Sequence, residues 1–576
     1  MKTNKELAKK LEKIAKYLEM DDVQYKPFAY RRASESINDL KKEVELIYEK
    51  KGREGIESIP GVGQAIADKI EEFLLSGEIL HLKNLEKKFP IEIEKLLKIE
   101  GLGPKSIKKI YEELDVKTVE ELKREVEKGS LSKLKGFGSK TEKNIKEGIE
   151  FLKKDEGKWS LGEVLPVAEE IFKLLKDLGE VKKISFAGSL RRKKEVVGDI
   201  DILISASKTE KIMEKFTSFQ SVERVLSQGD TKSSIRLKEG FDADLRVVDS
   251  SSFGSALQYF TGSKNHNIKV RKAAISDEMK LNEYGLFRDG KKIAGKTEKD
   301  IYSKLGMTYI PPEIREDRGE VEKALDGFDF NLCRLDDIKG DLHTHTTWTG
   351  GKQSVKEMAM EAYNLGYQYI GIADHTKYLQ IENGLDEEEL KEQRKEIDEV
   401  NKELSEKGVD IVVLQGCEAN ILKDGSLDID QKTLSELDYV IAGIHSHFKL
   451  PQEEMTKRLS KAIKNPEVNI ISHPTGRLIK KRDSLNLDME HIIKLAKKER
   501  VFLEVNSSPY RLDLSGRYVK KCIENGQMIS INSDAHHKNQ LKNMKFGVGQ
   551  ARRGWAKKED LINTYELEKL LKFFKK

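Results

Sequence analysis

Three aspartates lie in two short apolar stretches of the sequence. Asp199 and Asp201 belong to the stretch GDIDILI, and Asp244 belongs to FDADLRVV. Side chains alternate between the two faces of a strand, so Asp199 and Asp201 point the same way while the intervening isoleucine enters the core. Paired carboxylates repel unless a cation lies between them, and Mg²⁺ prefers carboxylates together with substrate phosphates. The spacing therefore predicts a Mg²⁺ (or Mn²⁺) site that handles phosphate groups.

A second concentration of chemistry lies in the C-terminal half, where nine of the eleven histidines follow residue 340. Imidazole is the commonest metal ligand, so this half predicts a metal site of its own. Short apolar strands separated by charged helices recur there, and six of the seven end in His or Glu. They span 340–345, 369–375, 411–418, 439–445, 468–473, 501–506 and 528–536. Such a pattern builds an α/β barrel or a doubly wound sheet, with ligands gathered at the carboxyl ends of the strands.

Three glycine-containing segments punctuate the helical N-terminal region at 59–63, 99–103 and 134–138. In each segment two glycines are separated by a single residue, and a helix follows. This arrangement is typical of a helix-hairpin-helix. The glycines permit a tight turn, and the free amides of the next helix face a DNA phosphate without reading sequence. A single GxG turn is also a common helix cap, but three copies favour DNA binding. The predicted contacts are Gly61, Gly63, Gly101, Gly103, Gly136 and Gly138.

Composition bounds the remaining possibilities. The 576 residues predict roughly four compact units at about 150 residues each. The net charge of only +5 means that a DNA-binding surface must come from local clustering. Three cysteines without a CxxC pair argue against a disulfide framework or a thiolate zinc site. The sequence has no apolar run of about 20 residues, so we expect a cytoplasmic protein that does not enter a membrane.

The conjunction of GSLRR at 188–192, GDID at 198–201 and DLRVV at 244–248 resembles the nucleotidyltransferase superfamily and, within it, the family X DNA polymerases. The resemblance implies that Asp199 and Asp201 bridge two metal ions, and that Asp244 holds the catalytic ion and helps to activate the primer hydroxyl. It also implies triphosphate contacts from Gly188, Ser189, Arg192 and Gly198. The alternative, that the aspartates are charges at a loop edge, leaves the glycines and arginines unexplained.

The segment YFTGS at 259–263 is similar to the nucleotide-binding segment of that family. Tyr259 and Phe260 would then leave no room for a ribose 2′-hydroxyl, Gly262 would contact the nucleotide, and Asn267 would hydrogen-bond in the minor groove. The alternative is an aromatic pair in the core before a turn.

The stretch IPGVGQAIADKIEEF at 59–73 resembles the small N-terminal domain of DNA polymerase beta, which binds a 5′-phosphate. Lys69 falls on the position that forms a Schiff base with an abasic sugar in some members. The alternative, a surface lysine, is open, since Ala65 stands where polymerase beta carries another lysine.

The motifs of the C-terminal half, namely HTH, DHT, a strand-ending Glu, two isolated histidines and SDAH, resemble the polymerase-and-histidinol-phosphatase (PHP) domain. The resemblance implies a distorted (βα)7 barrel with two to three Mn²⁺, Zn²⁺ or Fe²⁺ ions. The implied ligands are His343, His345, His375, Glu418, His445, His473, Asp534 and His536. Asp341, Asp374 and Glu504 are expected to orient these imidazoles. The family has an aspartate ligand where this chain has Gly350, which puts the site shared by His375 and His536 in question.

The two resemblances cover almost the whole chain and predict a multidomain architecture of helical domains, an α+β palm, a thumb and a barrel. The expected bounds are 1–85 and 86–157 for helix-hairpin-helix domains, 158–250 for the palm, 251–312 for the thumb, 313–337 for a linker and 338–576 for the barrel.

The expected function is template-directed gap filling in DNA repair, with 3′-5′ exonuclease or other 3′-end and abasic-site processing by the barrel. The partners would be gapped or primed double-stranded DNA and deoxynucleoside triphosphates, and the chain would act as a monomer. The alternatives are a phosphoesterase whose polymerase half delivers DNA, a non-catalytic DNA-binding scaffold, and a non-templated nucleotidyltransferase.

Overall fold

The computed structural model describes residues 2–38, 40, 42–97, 99, 101–154 and 157–575. The chain divides into two compact units, Met1–Glu156 with Lys480–Arg482 and Gly157–Ile479 with Asp483–Lys576. Among the described residues, no helix combines the length and the apolar character that crossing a membrane requires.

The first unit is helical. Its helix-forming stretches carry apolar residues three and four positions apart, and this spacing buries one face: Leu7, Leu11, Ile14 and Leu18 of the first helix all lie in the core. The helices are α1 (Lys2–Met20), α2 (Lys26–Asn38), α3 (Val44–Glu57), α4 (Gln64–Ser76), α5 (Leu80–Lys88), α6 (Ile93–Leu96), α7 (Pro104–Leu114), α8 (Val119–Glu127) and α9 (Ser139–Lys154).

The palm region of the second unit is a five-stranded mixed sheet in the order β2-β4-β7-β6-β5. Its elements are β1 (Trp159–Ser160), α10 (Leu161–Lys176), β2 (Val181–Phe186), α11 (Gly188–Arg191), β3 (Val196–Val197), β4 (Asp199–Ala206), α12 (Glu210–Thr217), β5 (Val222–Gln228), β6 (Lys232–Leu237) and β7 (Asp242–Val248). Strands β4 and β7 are parallel neighbours, with Asp201 opposite Asp244. Isoleucines and leucines alternate with these aspartates and enter the core beneath the sheet.

The thumb region joins helices to a small antiparallel sheet in the order β10-β9-β8. It contains α13 (Phe253–Thr261), α14 (Lys264–Ser276), β8 (Met279–Asn282), β9 (Gly285–Arg288), β10 (Lys291–Ala294), α15 (Glu298–Lys304) and α16 (Glu320–Leu325).

The segment 313–337, expected to be a linker, is instead packed into the thumb region. Ile314, Val321 and Phe330 belong to the thumb core. At least one of the polar residues that suggested a linker makes a buried contact instead of facing solvent: Arg315 is fully buried and pairs with Glu298 at 2.6 Å. Buried charges of this kind persist only when they are paired.

The C-terminal region is a ring of parallel strands with helices outside. Strands β11, β12 and β13 form one parallel sheet and β14 to β18 another. Parallel bridges from His375 to Glu418 and from Thr344 to Ala535 join the two sheets into a barrel. The polypeptide bends between β13 and β14, so that the two successive strands fill one position of the ring. The predicted fold class is confirmed, with a distorted barrel of seven strand positions.

The elements of the barrel follow one another as strand and helix. They are β11 (Gly340–Thr344), α17 (Val355–Asn364), β12 (Tyr369–Ile372), α18 (Glu387–Glu406), β13 (Val412–Gln415), β14 (Glu418–Asn420), α19 (Gln431–Glu436), β15 (Val440–Gly443), α20 (Gln452–Ile463), β16 (Val468–Ile471), α21 (Met489–Lys498), β17 (Phe502–Asn506), α22 (Gly516–Glu524), β18 (Ile529–Asn532), α23 (Met544–Arg553) and α24 (Leu567–Phe574).

Within the second unit, the barrel shares its packing with the palm and thumb regions. Leu512 and Phe546 are buried in the palm core, and Trp555 is buried in the thumb core. An ion pair of 3.1 Å joins Arg477 of the barrel to Glu195 of the palm region. These apolar and charged contacts join the three regions within one compact unit.

Candidate active sites

The palm sheet brings the three predicted aspartates together on one face. Asp199 and Asp201 alternate with buried isoleucines on β4, and Asp244 lies beside Asp201 on β7. Burial, followed by the charges of Asp199 and Asp244, raises the pKa of Asp201 to about 7. The pKa of Asp199 is raised by burial and by Asp244. A site with so much mutual repulsion favours a divalent cation.

The backbone at position 188 passes so close to the Asp201 side chain that only glycine fits there. The φ of Gly188 is +57°, and a Cβ atom there would lie 1.9 Å from Asp201 Oδ2. The Ala187 amide donates to the Asp201 carbonyl at 2.8 Å, which fixes the GSLRR turn against β4. Ser189 lies in this turn, and Gly198 is an exposed residue directly before Asp199. The predicted triphosphate residues therefore lie beside the carboxylates.

Arg192 is held by two partners. Its guanidinium donates to the Thr261 carbonyl and, at 3.0 Å, to Glu316 Oε1. A Cβ atom at Gly262 would lie 3.2 Å from Arg192 Nη1, so the YFTGS turn and this arginine pack directly together. Tyr259 and Phe260 lie in the last turn of α13, directly before Gly262, and their rings meet edge to face at 5.1 Å.

Asn267 lies close to this aromatic pair but faces inward. Its Nδ2 donates to the Tyr259 carbonyl at 2.7 Å, and its Oδ1 accepts from Gln258 Nε2 at 2.8 Å. The side chain is 8% exposed. In this structure Asn267 supports the backbone of the aromatic pair, and the expected minor-groove contact would require these two bonds to break.

Asp242 adds a fourth carboxylate, and so an extra negative charge, beside the three aspartates of the palm site. It lies opposite Asp199 in the β4–β7 register. Arg236 on β6 pairs with both of its oxygens, one of them at 3.0 Å. The additional negative charge is therefore compensated locally.

In the barrel, Glu418 lies at the centre of the predicted ligands. Its Oε1 is 3.2 Å from His445 Nε2 and 3.0 Å from His473 Nε2. Its Oε2 is 3.0 Å from His375 Nδ1 and 3.4 Å from His343 Nε2. Burial alone would raise the pKa of Glu418, but His445 and His343 hold it well below its ordinary value. One carboxylate thus faces two sets of imidazoles and can bridge two ions.

Asp534 is the second carboxylate of this cluster. Its Oδ1 lies 3.3 Å from His345 Nε2 and 3.7 Å from His343 Nε2. The ring of His345 is stacked between His375, at 4.4 Å, and His536, at 4.0 Å. The structure therefore brings all eight predicted ligands together at the carboxyl ends of the strands.

The polar atoms of this cluster fit a metal centre. Of the fifteen buried side-chain N and O atoms without a hydrogen-bond partner among the described residues, seven belong to it. Such atoms are costly to leave unpaired unless a ligand completes them. Three groups of ligand atoms could each hold an ion. They are His345, His375 and His536; His343, His345 and Asp534; and His375, Glu418 and His445.

Neighbouring residues orient the imidazoles, but only one of the three expected residues does so. Glu504 Oε1 pairs with His343 Nδ1 at 2.8 Å, as expected. Asp341 and Asp374 accept backbone and hydroxyl donors and support the polypeptide beside the ligands. Asn420, which the sequence did not single out, pairs with His445 Nδ1 at 2.8 Å. Its position, two residues after Glu418 on β14, was the available signal.

The three glycine hairpins of the first unit have one geometry. The first glycine of each adopts positive φ, +81° at Gly61, +89° at Gly101 and +90° at Gly136. The second glycine of each, at 63, 103 and 138, directly precedes α4, α7 or α9, and a Cβ atom there would meet nothing within 4 Å. The helix amides are open to a ligand at all three places, which suits a phosphate.

Lys69 is half-buried on α4, and its ammonium donates to the Ala65 carbonyl at 2.9 Å. His81 lies nearby, and its pKa is lowered by burial, then by Lys69 and Lys26. Lys26, Lys69 and Glu72 thus all lie near His81.

The chain is 38% identical over 577 residues to the DNA polymerase/3'-5' exonuclease PolX of Bacillus subtilis (strain 168), and the match covers 99% of both proteins. The chain belongs to the PolX family. Family models match in the order that the fold implies: a helix-hairpin-helix domain at 2–79, a SAM-like helix-hairpin-helix tandem at 93–150, the DNA polymerase beta palm at 162–243, the DNA polymerase beta thumb at 256–316 and the PHP domain at 341–508.

The chain also has shorter relatives. It is 32% identical over 227 residues to a probable phosphatase of Thermoanaerobacter sp. (strain X514), covering 36% of this chain and 81% of that protein. A probable phosphatase of Clostridium acetobutylicum is 27% identical over 241 residues, covering 40% of this chain and 88% of that protein. Both relatives are much shorter than this chain and match 36–40% of it.

Proposed function

We propose that this PolX-family chain fills gaps in DNA by template-directed nucleotide addition in the palm and removes nucleotides from 3′ ends in the barrel. The observation that carries the proposal is that one compact unit contains both sites with their side chains in place. Three aspartates share one face of the palm sheet, and eight ligands converge in the barrel. A phosphoesterase that used its palm only to deliver DNA would have no use for the three aspartates.

In the palm, the three aspartates would hold Mg²⁺ or Mn²⁺. When bound, these ions relieve the repulsion between the carboxylates and attract the triphosphate oxygens. Asp244 lies where it can accept the proton of a primer hydroxyl placed beside β7. Arg192, positioned by Glu316 and Thr261, supplies positive charge to the triphosphate, and Tyr259 with Phe260 lines the sugar side.

In the barrel, Glu418, Asp534 and the surrounding imidazoles would hold the metal ions. When bound, Mn²⁺, Zn²⁺ or Fe²⁺ supplies an activated water and stabilises the leaving oxygen of a phosphodiester. Burial lowers the pKa of His345 well below its ordinary value, which favours the neutral imidazole that binds a metal. The pKa of His473 is lowered to about 4 by burial and by Arg511. A 3′ nucleotide is the substrate that the PolX relative's name supports, and repair of DNA in the cytoplasm is the setting we infer.

The decisive experiment uses one-nucleotide gaps with each of the four template bases. The wild-type protein should insert the complementary deoxynucleotide in each case and should digest an unpaired 3′ end with Mn²⁺. Asp244→Ala should abolish insertion and leave digestion intact. Insertion that ignores the template base would favour a non-templated nucleotidyltransferase, and digestion without any insertion would favour the phosphoesterase.

We also propose that Lys69 acts as an abasic-sugar lyase, supported by its place on α4 close to His81, which Lys26 also approaches. The reaction requires the neutral amine. Borohydride trapping on a 5′-deoxyribose-phosphate end should give a covalent adduct with the wild-type protein and none with Lys69→Ala. Equal adducts would show that Lys69 is a surface lysine.

A further inference from the structure

Of the three sets of candidate metal ligands in the barrel, one contains only histidines and no carboxylate. His345, His375 and His536 converge, whereas the other two groups include Asp534 or Glu418. Position 350, where a carboxylate was expected, is glycine. A divalent ion at this place would therefore depend on an anionic ligand from elsewhere.

The carboxylate of Glu382 lies next to Gly350, adjacent to this group of imidazoles. A Cβ atom built on Gly350 would lie 2.1 Å from Glu382 Oε2 and 3.5 Å from His536 Cδ2. The carboxylate thus occupies the space that a side chain at position 350 would enter, beside the ring of His536. We propose that Glu382 is the anionic ligand of a third divalent metal ion, together with His345, His375 and His536. This inference rests on the proposed metal-dependent function of the barrel.

The loop that carries Glu382 is anchored at its base. It begins directly after His375, whose carbonyl accepts the Leu385 amide at 2.8 Å. Thr376 Oγ1 and the Tyr378 amide both donate to Asp428, at 2.8 and 2.9 Å. Because both ends of this loop are held close to His375, Glu382 stays close to that histidine.

Asp374, the other acidic residue near these imidazoles, is already engaged. Thr346 donates to it from its amide at 2.8 Å and from its hydroxyl at 2.6 Å. Thr349 Oγ1 donates at 2.5 Å and Gln393 Nε2 at 2.8 Å. Turning Asp374 towards an ion would break these bonds and release the loop that ends at Gly350. Glu382 is therefore the better assignment.

The two positions are complementary. Glycine at 350 leaves room for Glu382, and any side chain at 350 would displace it. Gly350→Ala should therefore remove the ligand without deleting a carboxylate. Gly350→Asp combined with Glu382→Gln should exchange one carboxylate for the other and restore the site.

The test is Mn²⁺ binding to the full-length protein, measured by equilibrium dialysis over a range of free Mn²⁺. Relative to wild type, Glu382→Gln should lose about one equivalent or bind its weakest equivalent about tenfold or more weakly, since removing even an outer-shell partner costs about 10–100-fold in affinity. Gly350→Ala should behave likewise, and the double variant should recover. Glu388→Gln, an exposed carboxylate on α18, is the matched control and should match wild type.

Superimposable isotherms for Glu382→Gln and wild type would overturn the inference. So would an additional equivalent in Gly350→Asp alone, because the natural chain would then lack the carboxylate. Digestion of a 3′ end by the same preparations separates this question from the proposed function. If the wild-type protein digests the 3′ end but the Mn²⁺ isotherms of Glu382→Gln and wild type superimpose, only the assignment of Glu382 as a ligand is rejected. Inactive wild-type protein rejects the exonuclease proposal, while the isotherms still decide the ligand.

Discussion

In the palm, three carboxylates lie together on one face of the sheet, on the inner strands β4 and β7, and the pKa of Asp201 is raised to about 7 by burial and by its acidic neighbours. In the barrel, two buried carboxylates lie among six imidazoles, and the pKa values of Glu418 and Asp534 are held well below the ordinary range. Burial opposes this lowering, but the nearby histidines outweigh it. The same residue type therefore has opposite electrostatics in the two sites.

The difference indicates how each site binds its metal. The palm offers only carboxylates, and Mg²⁺ bound in such sites keeps water and substrate phosphates among its ligands. The barrel offers a mixed set of nitrogen and oxygen ligands that suits a resident transition metal. We expect palm ions to arrive with the nucleotide and barrel ions to remain through dialysis.

The largest expected effect tests whether the two sites are independent. Glu418→Gln should reduce digestion of 3′ ends by more than about a hundredfold, because even outer-shell residues contribute about 10–100-fold to metal affinity or activity. Gap filling should remain at the wild-type level, which is the reverse of the Asp244→Ala result. Steady-state rates on the same gapped substrate measure both. Loss of both activities in Glu418→Gln would show that the two sites depend on one another.

A change in the first unit should affect both sites equally. Gly103→Val keeps an allowed extended backbone but fills the open space before the amides of α7. DNA affinity should fall about tenfold, as expected for one or two charge-assisted hydrogen bonds, and both activities should fall with it at subsaturating DNA.

The salt dependence of this binding should not change, because its slope counts cations rather than amides. Gly179→Val, also at an open position, is the matched control. A selective loss of gap filling in Gly103→Val would contradict a shared DNA-binding role.

A substitution in the barrel should have a smaller effect on nucleotide binding in the palm. Arg553 of α23 donates to the Arg192 carbonyl at 2.8 Å and to Glu316 Oε1 at 3.1 Å. Arg553→Ala should loosen Arg192 and raise the KM for deoxynucleotides up to about tenfold, with little change in digestion.

The neighbouring Arg552→Ala is the control, since Arg552 pairs with Glu313 instead. Unchanged KM values in both variants, with melting temperatures that show intact folding, would mean that the barrel does not position the nucleotide site.

The smallest effect concerns stability and pH in metal-free protein. Because the pKa of Asp201 is raised from 3.8 to about 7, the folded state binds more protons than the unfolded state in this window. Stability should fall as pH rises through it. Asp201→Asn removes this penalty, so its Tm in EDTA should exceed that of wild type by a few degrees at pH 8, at roughly 2–4 °C per kcal/mol.

The difference in Tm should shrink at pH 5, where most Asp201 is protonated in the folded state. Thermal melting at both pH values measures it. Equal melting temperatures for the variant and wild type at both values would contradict the raised pKa.

The sequence by itself determined the fold class, the order of the regions and which residues could be ligands. These features depend on local patterns. Strand alternation places Asp199 and Asp201 on one face, paired glycines mark the hairpins, and strand-ending histidines mark the mouth of a barrel. Each pattern is contained in a few consecutive residues, so it can be recognised without knowing what packs against it.

Only the tertiary structure decided the contacts between distant segments. It placed Glu382 beside Gly350, turned Asn267 inward, and packed the expected linker 313–337 through the buried pair of Arg315 and Glu298. It also placed Arg553 where its guanidinium donates to the carbonyl of Arg192, which lies 361 residues earlier in the chain. No local pattern distinguishes these residues from other polar residues. Their roles arise because burial requires each charge and each polar atom to find a partner, wherever along the chain that partner lies.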